Sequence, residues 1–234
     1  KIKDNIMITN HHSTAEVGDE SLILSKIAPT WIGSNRIKSS NLAKKNNADC
    51  VIMDDGFQNP TIKKDFSIIV IDGNQGFGNK RVLPSGPLRE SIRRGLKRAD
   101  AIIVVGEDKF KIKEILPSSI PYFNAKFDVS KNKEIFKGKN ITAFAGIAYP
   151  AKFFETLKQQ GAKILKTINF PDHYIYNEND LLKLVETANN NKSILVTTTK
   201  DFLRIPESYK TIIYKLEGEI IIEKEDIFQE ILNN

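Results

Sequence analysis

The sequence is short of several things, and each shortage excludes something. A single cysteine, Cys50, allows no intramolecular disulfide and fits a reducing compartment. No apolar run approaches the roughly 18 residues of a membrane-spanning helix, and stretches such as Ser67 to Ile71 and Ala101 to Val105 stop far short. The opening Lys-Ile-Lys-Asp-Asn has neither an initiator Met nor the apolar centre of a secretion signal, so nothing is expected to direct export. No repeat occurs, and Asn189-Asn190-Asn191 is too short for a low-complexity tract. Arginine is scarce, 7 residues against 28 lysines, in a chain that also carries 20 asparagines.

What is present is the composition of a folded protein. The 234 residues, 40% hydrophobic and 27% charged, suffice for one large or two small domains and lie far from disordered compositions. A net charge of +6 admits nucleic acid, anionic membranes and phosphorylated ligands without choosing among them. In so lysine-rich a chain, arginine should persist where its shape matters. Five of the seven, Arg81, Arg89, Arg93, Arg94 and Arg98, fall within 18 residues. Guanidinium forks grip phosphate and carboxylate in a way an ammonium cannot, which suggests an anion site or an anionic surface; a solvated helix face is the alternative.

The apolar patterning predicts an α/β protein. Residues 21–28 have helical spacing and stop at Pro29. Residues 48–53 read as a buried strand that delivers Asp54-Asp55-Gly56 at its tip, with Cys50 a small buried residue on it. Phe66 to Ile71, ending at Asp72-Gly73, and Ala101 to Val105, ending at Gly106-Glu107, repeat the pattern around a helix over Leu88 to Arg98. Such an order predicts a parallel, doubly wound sheet with ligands beyond the C-terminal strand ends. A polar linker or connecting ribbon is expected over 128–140. Beyond it come a strand Ile141 to Ala145, a helix Pro150 to Gln160, a helix Asp180 to Ala188, strands Ser193 to Thr197 and Thr211 to Leu216, and a terminal helix Lys224 to Leu232. The expected division is a core over 1–127, the linker, a second α/β domain over 141–217 and a C-terminal helix region over 218–234.

Two stretches carry chemistry. Asp54-Asp55 after an apolar strand is how a nucleotide-dependent enzyme holds Mg²⁺, although a simple turn with Gly56 reads equally well. From Gly76 to Glu90, glycines and prolines force an irregular loop that opens a helix, directing backbone N–H groups and the helix dipole at whatever sits there. Arg89 in the first turn gains nothing from that dipole, which argues that it faces a ligand.

These stretches belong to an ordered set: Val17-Gly18-Asp19-Glu20, Asp54-Asp55-Gly56-Phe57-Gln58, Phe77-Gly78-Asn79, Leu83-Pro84-Ser85-Gly86-Pro87-Leu88-Arg89-Glu90, Ala145-Gly146-Ile147, Phe153-Phe154, Pro171-Asp172-His173 and Lys200-Asp201. From about residue 14 to about 205 the chain resembles the tetraacyldisaccharide 4′-kinases of lipid A synthesis. The resemblance implies a P-loop-kinase-like parallel sheet and a smaller α/β domain joined by a β-ribbon. It implies transfer of the γ-phosphate of ATP, with Mg²⁺, to the 4′-hydroxyl of a lipid disaccharide 1-phosphate, in the cytoplasm at the inner face of the inner membrane. It also implies roles for residues. Asp54, Asp55 and Glu90 would serve the metal, Glu20, Arg89 and Arg93 the substrate or its phosphates, and Asp19 with His173 would form the dyad that activates the sugar hydroxyl.

The chain departs from that family in places. The Gly-rich phosphate loop should lie upstream of Gly18-Asp19-Glu20, where only 17 residues stand, and no Gly-x-x-x-x-Gly-Lys-Ser/Thr occurs anywhere. Asn59, Lys80 and Ser21 replace the usual His, Gly and Pro. The expectation is a core lacking its P-loop strand and helix, either a trimmed piece of the kinase or one product of a split gene completed by a separate P-loop-bearing fragment; a degenerate, non-catalytic remnant that binds lipid or nucleotide is the alternative. No nucleic-acid motif accompanies the charge, and no nucleic-acid partner is expected. The basic strip Arg93, Arg94, Lys97 and Arg98 is expected to meet an anionic membrane surface, with Arg89 left to the phosphates.

Overall fold

The computed structural model describes residues 4–233, so the outermost residues of the expected domain division lie outside it. In chain order the strands are β1 (Ile6–Met7), β2 (Trp31–Ile32), β3 (Ile68–Asp72), β4 (Ala101–Val105), β5 (Tyr122–Asp128), β6 (Asn140–Ala145), β7 (Lys163–Asn169), β8 (Ile194–Thr198), β9 (Ile213–Leu216) and β10 (Glu219–Ile222). The chain divides into two compact units. One comprises residues up to Val51 with Val129–Gly218, the other Ile52–Asp128 with the residues from Glu219 on. The division therefore differs from the expected one: residues before Val51 cluster with the second α/β region, and those after Gly218 with the first.

In the first unit the sheet runs β7-β6-β8-β9, parallel throughout. Central strand β6 is buried from Ile141 to Ala145, and its alternation serves two layers. Ile141, Ala143 and Ala145 pack with Phe153, Phe154 and Leu157 of the helix Pro150–Gln159. Phe144 points the other way, to Leu181, Leu184 and Ala188 of the helix Glu178–Asn190. That helix starts where Asn177 accepts from the Asp180 N–H at 3.0 Å and Asp180 returns the bond to the Asn177 N–H. From Val129 on, the expected linker over 128–140 is part of this unit, while Asp128 ends β5. The linker forms a 3₁₀ turn, Ser130–Asn132, and a helix, Lys133–Phe136, whose Phe136 is fully buried against the sheet.

In the second unit the order is β10-β5-β4-β3. Strands β3, β4 and β5 are parallel, and β10 is antiparallel to β5. Strand β4 is buried over Ala101–Val104, with Leu96 and Ile112 on one face and Phe123 and Phe228 on the other. Phe228, from the helix Glu225–Asn233, meets Phe123 edge-on at 5.1 Å.

Two expected elements differ. Residues 48–53 form no strand: Val51 is exposed, Ile52 is 92% exposed, and Cys50 is on the surface. An apolar strand needs a neighbour for its backbone, and β3, the edge of its sheet, has no second partner among the described residues. The helix over 88–98 shortens to Ile92–Leu96, with Ser91 at the N-cap position. The Leu88 backbone is already committed to the preceding loop, its N–H donating to Arg81 O at 3.2 Å and its carbonyl accepting from Leu83 N at 2.9 Å. Arg89 and Glu90 consequently lie before the helix instead of in its first turn.

Candidate active site

In the first unit Asp19 opens the helix Asp19–Ser25, into which the chain is turned at Gly18 with φ 85. Its carboxylate is buried, only 6% exposed. His173 comes from the other end of the sequence on the turn Pro171-Asp172-His173. Its backbone sits at φ 58, and its N–H faces the Gly146 carbonyl at 3.1 Å and Asp172 Oδ1 at 3.0 Å. This sets Nδ1 3.3 Å from Asp19 Oδ2 and leaves the ring 66% exposed.

Gly146, just after β6, is where the turn is pinned. A Cβ there would meet Asp201 Oδ1 at 3.0 Å and Pro171 O and Tyr174 Cβ at 3.1 Å, so a side chain would displace the segment that carries His173. Asp201 is fully buried and accepts from Gly146 N at 3.0 Å, Tyr176 Oη at 2.8 Å and Thr198 Oγ1 at 2.6 Å. Arg204 then ties the pieces together. Its Nε donates to both Asp19 oxygens at 3.1 and 3.0 Å, its Nη2 to Asp19 Oδ2, and its Nη1 to Gly146 O at 3.0 Å and Asp201 Oδ1 at 3.2 Å. Only 4% of the Arg204 side chain is exposed.

Burial works to raise the Asp19 carboxyl, but the Arg204 hydrogen bonds and charge, with His173, outweigh it and hold Asp19 below its ordinary value. Burial likewise opposes the Arg204 charge, and Asp19 and Asp201 overcome it, holding the guanidinium above its usual value. The sign of the linkage follows. Asp19's stabilising contribution is complete above the unfolded carboxyl value of about 3.9 and is lost as pH falls through the lowered native value. Urea unfolding at successive pH values below about 4 is expected to show a steeper loss for the parent than for Asp19→Asn. Equal slopes would remove Asp19 from the acid transition.

In the second unit Asp54 and Asp55 lie exposed on a turn, Asp55 at φ 48. Arg89 Nη1 reaches Asp55 Oδ1 at 3.2 Å and Oδ2 at 3.0 Å, with both side chains more than half exposed. Glu90, largely buried, accepts from Arg98 Nη2 and from Gln58 Nε2 at 3.2 Å. The Arg98 guanidinium also stacks 4.6 Å from the Phe57 ring centre. Arg93, Arg94, Lys97 and Arg98 are all exposed, but the Arg98 charge is spent on bracing Glu90.

The model of the family described as tetraacyldisaccharide-1-P 4′-kinase matches residues 1–234. The chain belongs to the tetraacyldisaccharide 4′-kinase family. The tetraacyldisaccharide 4′-kinase of Gluconobacter oxydans is 39% identical over 212 residues, covering 91% of this chain and 65% of that protein. The one from Paramagnetospirillum magneticum is 42% identical over 198 residues, covering 84% and 61%. The chain thus spans less than two thirds of the length of either relative. The crystal structure of an "apo" form LpxK from Aquifex aeolicus in complex with ATP superposes with a TM-score of 0.78 at 23% identity, over 100% of this chain and 75% of that one, and establishes the α/β fold with its parallel sheets.

Within this kinase family member, the two residues expected to act as a dyad, Asp19 and His173, lie within hydrogen-bond range of each other. Glu20, expected at the substrate, pairs with Lys200 at 2.6 Å. Asp54 and Asp55 are adjacent carboxylates, the hard oxygen donors that Mg²⁺ takes one or two at a time beside phosphates, and an exposed Arg89 fork is weak enough for a cation to displace. Glu90 pairs with Arg98 and Gln58, and no three metal-ligating side chains converge among the described residues. Arg93 is exposed. Gly146 and Asp201 stand in the motifs above without an assigned role, and Arg204 stands in none of them. The signal was available: Arg204 is one of two arginines outside the cluster of five, in a chain that otherwise uses lysine.

Proposed function

We propose that this chain forms part of an ATP-dependent kinase that phosphorylates the 4′-hydroxyl of a tetraacyldisaccharide 1-phosphate, with Asp19 and His173 accepting the hydroxyl proton. The carrying observation is the approach of His173 Nδ1 to Asp19 Oδ2, 3.3 Å apart across 154 residues of sequence. The sugar oxygen attacks the γ-phosphorus, its proton passes to His173 Nε2, and the bond to ADP breaks. Nε2 can accept only when Nδ1 carries the ring proton, which it then donates to Asp19. Mg²⁺, with Asp54 and Asp55 as its protein ligands, would neutralise charge on the transferring phosphates.

The phosphates need a cradle that the 234 residues do not contain, since no Gly-x-x-x-x-Gly-Lys-Ser/Thr occurs in them. A phosphate-loop segment, on the same polypeptide or on a separate one, would supply it. The exposed Arg93, Arg94 and Lys97, each adding about 1 kcal/mol beside anionic lipid, support work at a membrane, which for a lipid A precursor means the cytoplasmic face of the inner membrane.

One experiment tests these points: the 234 residues, with and without a family fragment carrying the phosphate loop, on anionic vesicles containing the lipid acceptor and labelled ATP. Label should reach the lipid only when both are present, Asp55→Ala should abolish it, and the chain should sediment with the vesicles at low salt and less at high salt. Transfer by the 234 residues alone would remove the need for that segment. Vesicle or nucleotide binding without transfer in any mixture would favour a non-catalytic lipid- or nucleotide-binding protein instead.

A further inference from the structure

Arg204 meets the dyad at one atom that matters. Its Nη2 lies 3.2 Å from His173 Nδ1, the same nitrogen that lies 3.3 Å from Asp19 Oδ2. A guanidinium has only donors and a carboxylate has only acceptors. The contact with Arg204 is therefore a hydrogen bond only when Nδ1 is bare, and the contact with Asp19 only when Nδ1 carries the proton. The two exclude each other. Asp19 Oδ2 already accepts from Arg204 Nε at 3.0 Å and from Nη2, which weakens its hold on a third donor. Arg204 has no freedom to drift away, because Nη1 is anchored on Gly146 O and Asp201 Oδ1 in a site closed to water.

We propose that Arg204 is a positioning residue that selects the tautomer of His173, keeping the ring proton on Nε2 and the dyad idle until the Nη2 contact with Nδ1 opens. The tautomer matters to function only through the kinase reading above, on which this inference rests. In the Nε2–H form the exposed nitrogen is a donor and cannot take a hydroxyl proton. In the Nδ1–H form Asp19 holds the inner proton and the exposed nitrogen becomes a base. The same arginine thus fixes the carboxylate in place and competes with it for the ring.

The test reads the tautomer directly. In the ¹⁵N-labelled 234-residue chain, imidazole nitrogen shifts are recorded well above the ordinary imidazole range of about 6.5, with His173→Gln assigning the signal among the three histidines. The parent should show the Nε2–H form and a through-hydrogen-bond coupling between Arg204 Nη2 and His173 Nδ1. Arg204→Lys, which keeps the charge and loses the fork, should move the ratio toward Nδ1–H by about tenfold, the factor that one hydrogen bond to a carboxylate supplies. Adding Asp19→Asn to that variant should move it back. An unchanged ratio in Arg204→Lys, or a parent that already carries its proton on Nδ1, overturns the assignment. Should the lysine variant fail to fold, the coupling in the unmodified chain decides alone, and its absence counts against the proposal. No phosphoryl transfer enters this readout. A tautomer shift without kinase activity would sink the kinase reading and leave Arg204 as assigned; activity with an unmoved tautomer would do the reverse.

Discussion

Asp201→Ala is expected to lower the unfolding free energy of the chain by about 3–5 kcal/mol, the scale of leaving a buried charge without its partner. Asp201 is fully buried and accepts four donors from four places: the Gly146 backbone, the Tyr176 hydroxyl, the Thr198 hydroxyl and Arg204 Nη1. Alanine removes all four acceptor contacts and strands Tyr176, whose hydroxyl is already held far from ionising by burial and by Asp201 itself. Asp201→Asn keeps the shape and one carbonyl oxygen, and should cost about 1–3 kcal/mol. Urea unfolding of both variants measures the difference. A loss under 1 kcal/mol for the alanine would mean that water or another side chain replaces the carboxylate, and the hub described around Gly146 would not hold the unit together.

The second large effect is chemical. With the phosphate-loop fragment present, His173→Ala should reduce turnover by about 10²–10⁴, the range that a positioned general base contributes. Stability should barely change, because the ring is 66% exposed and packs against little. This contrast separates His173 from Asp19, whose removal also leaves Arg204 without its main partner and should cost both rate and stability. Initial rates with saturating lipid, set beside unfolding midpoints, check both halves. A variant within threefold of the parent would remove His173 from proton transfer.

How far such a site can be read from sequence differs from residue to residue. Strand Ala101–Val105 and the helix from Pro150 were legible because local pattern and tertiary burial agree there: an unbroken apolar run becomes a central strand, and a stripe at helical spacing becomes a buried face. Residues 48–53 carry an equally apolar pattern, but a strand exists only as half of a pair, and periodicity says nothing about whether a neighbour is present. The helix over 88–98 failed for a related reason. The Leu88 backbone is consumed by a loop whose closure on Arg81 and Leu83 no propensity scale registers. In the site, motif order pointed to Asp19 and His173, while the Arg204 bridge was missed because its meaning lies in three partners far apart in the chain: Asp19, Gly146 and Asp201. Composition held the one usable clue, an arginine kept where lysine is the rule.

The interleaving of the two units sets the order in which this protein can assemble on a ribosome. The first unit needs Val129–Gly218 to join the residues before Val51, and all of these emerge before the second unit is whole. The second unit, begun at Ile52, must wait for β10 to pair with β5 and for Phe228 to cover Ala101, Ile103 and Phe123. During that interval one side of its sheet has an open hydrogen-bonding edge and an uncovered apolar face, the surfaces through which incomplete chains aggregate. Translation through the stretch coding for residues 129–218 therefore sets how long that exposure lasts, and a chaperone acting on the nascent chain would find its substrate in the half that begins at Ile52 and closes last.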